Sequence, residues 1–128
     1  MKEELKKILI IDDDVDSLEI ACFSLTAIGG YHVDACSSGS EALEKIEKIK
    51  PQLILLDVIM PEMDGIETLK KINKIAGYEE VPVIFLTAKV QVDDMELYQT
   101  TGVIGVIIKP YDPMELSNTV KNLWKKKT

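Results

Sequence analysis

Leu53-Ile54-Leu55-Leu56-Asp57-Val58-Ile59-Met60-Pro61-Glu62-Met63-Asp64-Gly65 is the stretch on which the fold of this chain turns. Its opening apolar run is too short for a helix and too continuous for a strand wetted on one face, so it reads as a strand covered on both sides. The run ends on a carboxylate, Asp57. Beyond it, Asp64-Gly65 opens a segment with Ile66, Leu69 and Ile72 at helical spacing and Gly77 as terminator.

Working outward, residues 8–11, 83–86 and 103–108 are apolar runs of the same kind. Residues 31–36 instead alternate Tyr31, Val33 and Ala35 with His32, Asp34 and Cys36, the pattern of a half-exposed edge strand. The intervals carry helical signals. Leu18, Cys22, Leu25 and Ile28 form one stripe after an Asp14 cap, ending at Gly29-Gly30. Ser38-Gly39-Ser40-Glu41 is a capping box before Leu43, Ile46 and Ile49, and that helix stops before Pro51. A fourth, shorter helix carries Met95 and Tyr98 and ends near Gly102. Asp112-Pro113-Met114-Glu115 caps a last helix that buries Leu116, Val120 and Leu123 and ends on Lys125, Lys126 and Lys127, cations suited to a helix C-terminus. Five strand–helix units predict an α/β doubly wound parallel sheet with five helices, whose ligands bind outside the carboxyl ends of the strands.

The chain has 128 residues, 46% of them hydrophobic, and 22 acidic against 15 basic side chains give a formal charge of −7. This is expected to be one domain spanning residues 1–128, with no output domain. The acidic balance excludes binding to nucleic acid or anionic membrane through clustered lysines. No apolar run approaches the roughly 20 residues of a membrane span, nor does the N-terminus carry a signal-peptide core, so a cytoplasmic location is expected. Cys22 and Cys36 have neither CxxC spacing nor a neighbouring histidine and read as reduced, structural thiols. His32 reads as a surface residue, and the terminal lysines as a solvated helix end.

Each strand delivers its apolar run straight into a polar residue: Ile11 into Asp12, Leu56 into Asp57, Leu86 into Thr87, Ile108 into Lys109. One such aspartate is ordinarily a helix cap, as for Asp14, and one threonine or lysine an ordinary loop residue. Four together on one edge of one sheet point to a site. If Asp12, Asp13 and Asp57 come within about 5 Å, each like-charge pair costs on the order of 3 kcal/mol at an effective dielectric near 20. Such a sum rivals the net stability of a small domain, so the site must raise a carboxylate pKa or bind a cation. With all-oxygen donors the expected ion is Mg²⁺, with Mn²⁺ as substitute. Acids, metal, hydroxyl and lysine together make a phosphate cradle.

These residues resemble the receiver domain of two-component response regulators, over essentially the whole chain. The matching blocks are Ile8-Leu9-Ile10-Ile11-Asp12-Asp13-Asp14, the stretch from Leu53 through Gly65, Val81-Pro82-Val83-Ile84-Phe85-Leu86-Thr87-Ala88, and Lys109-Pro110. The resemblance implies a flavodoxin-like fold of strand order 2-1-3-4-5. It implies Asp57 as phosphoryl acceptor, Asp13, Asp57 and the main-chain carbonyl of Ile59 as Mg²⁺ ligands, Asp12 acting through metal-bound water, and Thr87 and Lys109 as phosphoryl partners. The Lys109-Pro110 bond is expected to be cis. The phosphoryl donor would be a sensor histidine kinase or histidine phosphotransfer protein. Phosphorylation would change affinity for a downstream protein on the face of the fourth helix, fifth strand and fifth helix. The chain would not be an enzyme beyond assisting its own phosphorylation and dephosphorylation.

Two positions depart from the family pattern. Where the family usually carries an aromatic switch residue, this chain has Val106, so a smaller difference between phosphorylated and resting states is expected. Two residues beyond the acceptor and the threonine stand Ile59 and Lys89; Ile59 has no group to orient water, and slow self-dephosphorylation is expected. Two other readings compete. In a haloacid-dehalogenase-like phosphatase, Asp12 of Asp12-Asp13-Asp14 would be the nucleophile, but no cap domain fits and residues 60–65 go unexplained. A receiver-fold interaction module that is not phosphorylated would have lost an acid, the threonine or the lysine, and none is lost.

Overall fold

The computed structural model describes residues 3–88 and 102–127. The fourth helix expected from Met95 and Tyr98, and Lys89, lie outside the described residues. Strands β1 (Lys7–Ile11), β2 (His32–Cys36), β3 (Leu53–Asp57), β4 (Val83–Thr87) and β5 (Val103–Ile108) form one parallel sheet in the order β2-β1-β3-β4-β5. Among the described residues the helices are α1 (Val15–Phe23), continued by a π-helical segment (Ser24–Ile28), then α2 (Gly39–Ile49), α3 (Gly65–Ile72) and α4 (Leu116–Lys126).

The continuous apolar runs become strands because both faces of the sheet are covered. Ile8, Ile10, Leu53, Leu55, Ile84 and Leu86 point to the side of α1 and α4, where they pack with Leu25, Val120 and Trp124. Leu9, Ile11, Ile54, Leu56, Val83 and Phe85 point to the other side, against Ile46, Leu69 and Ile72 of α2 and α3. Burial of this kind contributes roughly 1.5–3 kcal/mol per side chain relative to exposure, which explains how three central apolar runs set the sheet. The fourth run, expected to be covered on both faces, is instead the edge strand β5, half-buried along most of its length with Ile108 54% exposed. β2 is the edge strand that was expected, with His32 exposed, but the alternation fails at its end, where Ala35 is exposed and Cys36 is buried.

Local signals operate with three corrections. Asp14 caps α1 by accepting from the N–H groups of Asp16 and Ser17, and Ser38 caps α2 by accepting from Glu41. Ile28 was expected on the buried stripe of the first helix but is 41% exposed. The π-helical segment inserts one residue into the helical repeat, so Ser24 and Leu25 are both buried and the stripe after them rotates away from the core. Gly77 was expected to end the third helix, which stops instead at Ile72; Asn73 occupies its C-cap, and turns fill the gap. The last helix begins at Leu116 rather than at Pro113: Asp112 accepts from the N–H of Met114 through its side chain and from Glu115 and Leu116 through its carbonyl, making a turn ahead of the helix.

Candidate phosphoryl and metal site

Side chains of a strand alternate between faces, so residues two apart share one. Asp12 continues the row of Ile8 and Ile10, Asp57 the row of Leu53 and Leu55, and Lys109 the row of Ile107, all on the α1 side. Because β1 and β3 are neighbours in register, with Ile11 opposite Leu56, Asp12 and Asp57 emerge side by side. Asp12 and Asp57 are buried and Asp13 is exposed, and carboxylate oxygens of all three lie within 4.8 Å of one another. Lys109 reaches into the same place: its Nζ lies 2.7 Å from Asp12 Oδ2 and 3.2 Å from Asp57 Oδ2. The Lys109–Pro110 bond is cis.

The expected residues thus gather, with two refinements. Lys109 is held more closely by Asp12 than by Asp57. Ile59 comes to Asp57 through its N–H, which donates to Asp57 Oδ1 at 3.2 Å, while its side chain is 73% exposed. Thr87 ends β4 in a buried position, and its carbonyl accepts the N–H of Lys109 at 2.8 Å, tying the two positions through the main chain. Val106 lies opposite Phe85 on β4 and packs against the cluster on the α2–α3 side, as a core valine does.

Glycine at position 65 has a reason that the helix-start reading missed. A Cβ there would lie 2.2 Å from the carbonyl oxygen of Asp57, so only glycine lets α3 begin directly against the end of β3. Its N–H donates to the carbonyl of Val58 at 2.8 Å, closing the loop behind Asp57. Met60 and Met63 are buried and anchor that loop, while Glu62 between them has φ 67, a conformation a non-glycine residue holds at some cost. Asp64 caps α3 through the N–H of Glu67.

The electrostatics follow from burial. The carboxyl of Asp57 is pushed up to about 6, first by loss of hydration and then by hydrogen bonding and repulsion from Asp12; Lys109 opposes this. For Lys109, burial acts to lower the pKa, but Asp12 and Asp57 outweigh it and the net shift is upward, keeping the ammonium charged. One ammonium does not offset three carboxylates. The donors are all hard oxygens at close quarters, which fits a hard divalent cation and no soft metal.

A doubly wound sheet of order β2-β1-β3-β4-β5, with acids and a lysine at the carboxyl ends of its strands, defines a flavodoxin-like α/β domain with an acidic site. The chain belongs to the response regulator receiver domain family, whose model matches residues 8–121. It is 44% identical over 94 residues to the probable transcriptional regulator ycf29 of Porphyra purpurea, covering 73% of this chain and 45% of that protein. With the transcriptional regulatory protein CpxR homolog of Haemophilus influenzae it shares 37% over 117 residues, 91% of this chain and 49% of the relative. The solved chemotaxis protein CheY4 of Vibrio cholerae superposes with a TM-score of 0.85 at 28% identity, over 94% of this chain and 99% of that one. The chain spans about half the length of these two curated relatives. Receiver domains of this family act as phosphorylation-dependent signalling switches. Receiver domains generally bind Mg²⁺ at an acidic pocket, and no helix among the described residues is long and apolar enough to cross a membrane.

Proposed function

We propose that Asp57 is the phosphoryl acceptor of this switch and that Asp12, Asp13 and Asp57, with the main-chain carbonyl of Ile59, hold Mg²⁺ beside it. The observation that carries the reading is the lysine ammonium lodged between the buried carboxylates of Asp12 and Asp57. So much buried charge at one sheet edge works against folding, and phosphoryl chemistry gives it a use. Asp57 attacks phosphorus in line: an O–P bond forms, and the P–N bond of a phosphohistidine breaks with its electron pair returning to the imidazole. Lys109 follows the new charge from carboxylate to phosphoryl oxygen, and the Thr87 hydroxyl donates to another such oxygen. When bound, Mg²⁺ supplies positive charge to the phosphoryl oxygens during transfer.

The donor in this reading is a sensor histidine kinase or a histidine phosphotransfer protein, and the chain assists only its own phosphorylation and dephosphorylation. A cytoplasmic location goes with such a partner. Output runs to a downstream protein through a shift between two conformational populations around β5 and α4. The test is incubation with acetyl phosphate and Mg²⁺ followed by intact mass. One added phosphoryl group on the wild type and none on Asp57→Asn is the expected result; label on Asp12 would favour a phosphatase, and no label would defeat the reading.

A further inference from the structure

The segment that carries Lys109 into the site is fastened at three points. At its start, the N–H of Lys109 donates to Thr87. At its end, Leu116 and Ser117 are buried, and Ser117 lies so near Gly29 that a Cβ on the glycine would sit 2.8 Å from the serine Cβ. Between these lies Pro113, whose carbonyl accepts a hydrogen bond from the hydroxyl of Ser24, distant by 89 positions in the chain.

Ser24 is fully buried and opens the π-helical segment. A serine within a helix ordinarily turns its hydroxyl back to a carbonyl one turn earlier. Thr26 does this, donating to the carbonyl of Cys22 at 2.7 Å. Ser24 instead donates across to another element, and the inserted residue of the π segment turns both it and Leu25 inward. Tyr111, between Lys109 and Pro113, packs half-buried on the same α1-side cluster as Leu25.

We infer that Ser24 is a positioning residue for Lys109, its hydroxyl pinning the Pro113 carbonyl so that the lysine ammonium is held between Asp12 and Asp57. This deepens the reading of Lys109 as the neutralising partner of the acceptor site. It also makes the first helix, through its π segment, one of the parts that register where Lys109 sits.

The lysine and a divalent cation compete to neutralise the same carboxylates, which gives a readout of opposite sign to ordinary damage. Ser24→Ala, by slackening the segment, tightens Mg²⁺ binding in a calorimetric titration roughly threefold or more. A merely structural loosening of the site weakens it. Lys109→Met tightens binding as well, and in that background Ser24→Ala adds nothing further. Ser24→Thr, which keeps the hydroxyl, restores wild-type affinity. The same four-variant cycle is read without metal as urea midpoints, where the effects of Ser24→Ala and Lys109→Met are less than additive. If Ser24→Ala does not fold, Ser24→Cys, of similar volume and with a weak donor, takes its place in both readouts. Weaker or unchanged Mg²⁺ binding in Ser24→Ala, or fully additive effects in the cycle, overturns the inference. A wild type that binds no Mg²⁺ and takes no phosphoryl group defeats the acceptor reading alone, and the metal-free cycle still decides the role of Ser24.

Discussion

On α2, Lys45 meets Glu41 at 2.9 Å with 51% of the lysine side chain in water; at the sheet edge, Lys109 meets Asp12 at 2.7 Å with 1% of the aspartate side chain exposed. The separations are nearly equal and the surroundings are not. Water around the helical pair screens the attraction, and its charges keep most of their hydration whether or not they meet. Around the sheet-edge pair both attraction and repulsion are strong, hydration is lost, and a third and fourth charge, Asp57 and Asp13, join the cluster. The first arrangement serves a helix. The second works against folding and is explained by what the site does.

The largest break in that comparison is Asp57→Asn, which removes phosphoryl uptake altogether while leaving Lys45 and Glu41 as they are; intact mass after acetyl phosphate treatment checks it. Next comes Lys109→Met in the metal-free protein, which leaves two buried carboxylates without their cation and destabilises the fold by about 3 kcal/mol, read from urea unfolding. Adding Mg²⁺ to the wild type raises its melting temperature, with about 2.7 kcal/mol gained at a hundredfold excess over Kd, and Asp13→Asn loses most of that gain.

A smaller effect separates the two regions by pH. The carboxyl of Asp57 has its folded pKa raised to about 6 from an ordinary value of 3.8, so its contribution is fully present below the lower value and lost as pH rises through the higher. Metal-free wild type therefore gains about 1 kcal/mol relative to Asp57→Asn on acidification from about pH 7 to about pH 5, measured as the difference in urea midpoints. The smallest effect lies on the helical side. Lys71→Ala breaks an exposed pair with Glu67 at 3.8 Å and changes stability by no more than about 0.5 kcal/mol in the same assay.

The strand positions were legible to within a residue, and for 8–11, 53–56 and 83–86 the reason is that a covered sheet demands unbroken apolar runs. The run 103–108 is as apolar but forms the half-buried edge strand β5, so its place in the sheet was not legible from that pattern. The site residues were legible for a related reason: the first polar residue after each run stands at the sheet edge, and Asp57 and Thr87 are the closing residues of β3 and β4. The π-helical segment was not legible, since one inserted residue leaves no mark in composition and the apolar stripe reads smoothly through Ile28. Nor was the role of Gly65, because a close approach between a helix start and a strand end is a fact of two elements, while a sequence displays one at a time. Asp112 carries the signal of a cap, and its turn differs from a helix start only in which carbonyls the following N–H groups find.

The sequence by itself determined that the chain is a doubly wound sheet and which residues stand at its carboxyl edge, because periodicity and the polar ending of each apolar run are local properties. That the sheet is of the receiver type came from the resemblance of its motif blocks. Only the tertiary structure decided how the charges there share one another. That Asp12 holds Lys109 more closely than Asp57 does, that Asp13 remains at the rim, and that a serine on the first helix fastens the segment bearing the lysine all depend on distances between elements. Such distances are set by side-chain packing on both faces of the sheet, a property of the whole core that no single segment contains.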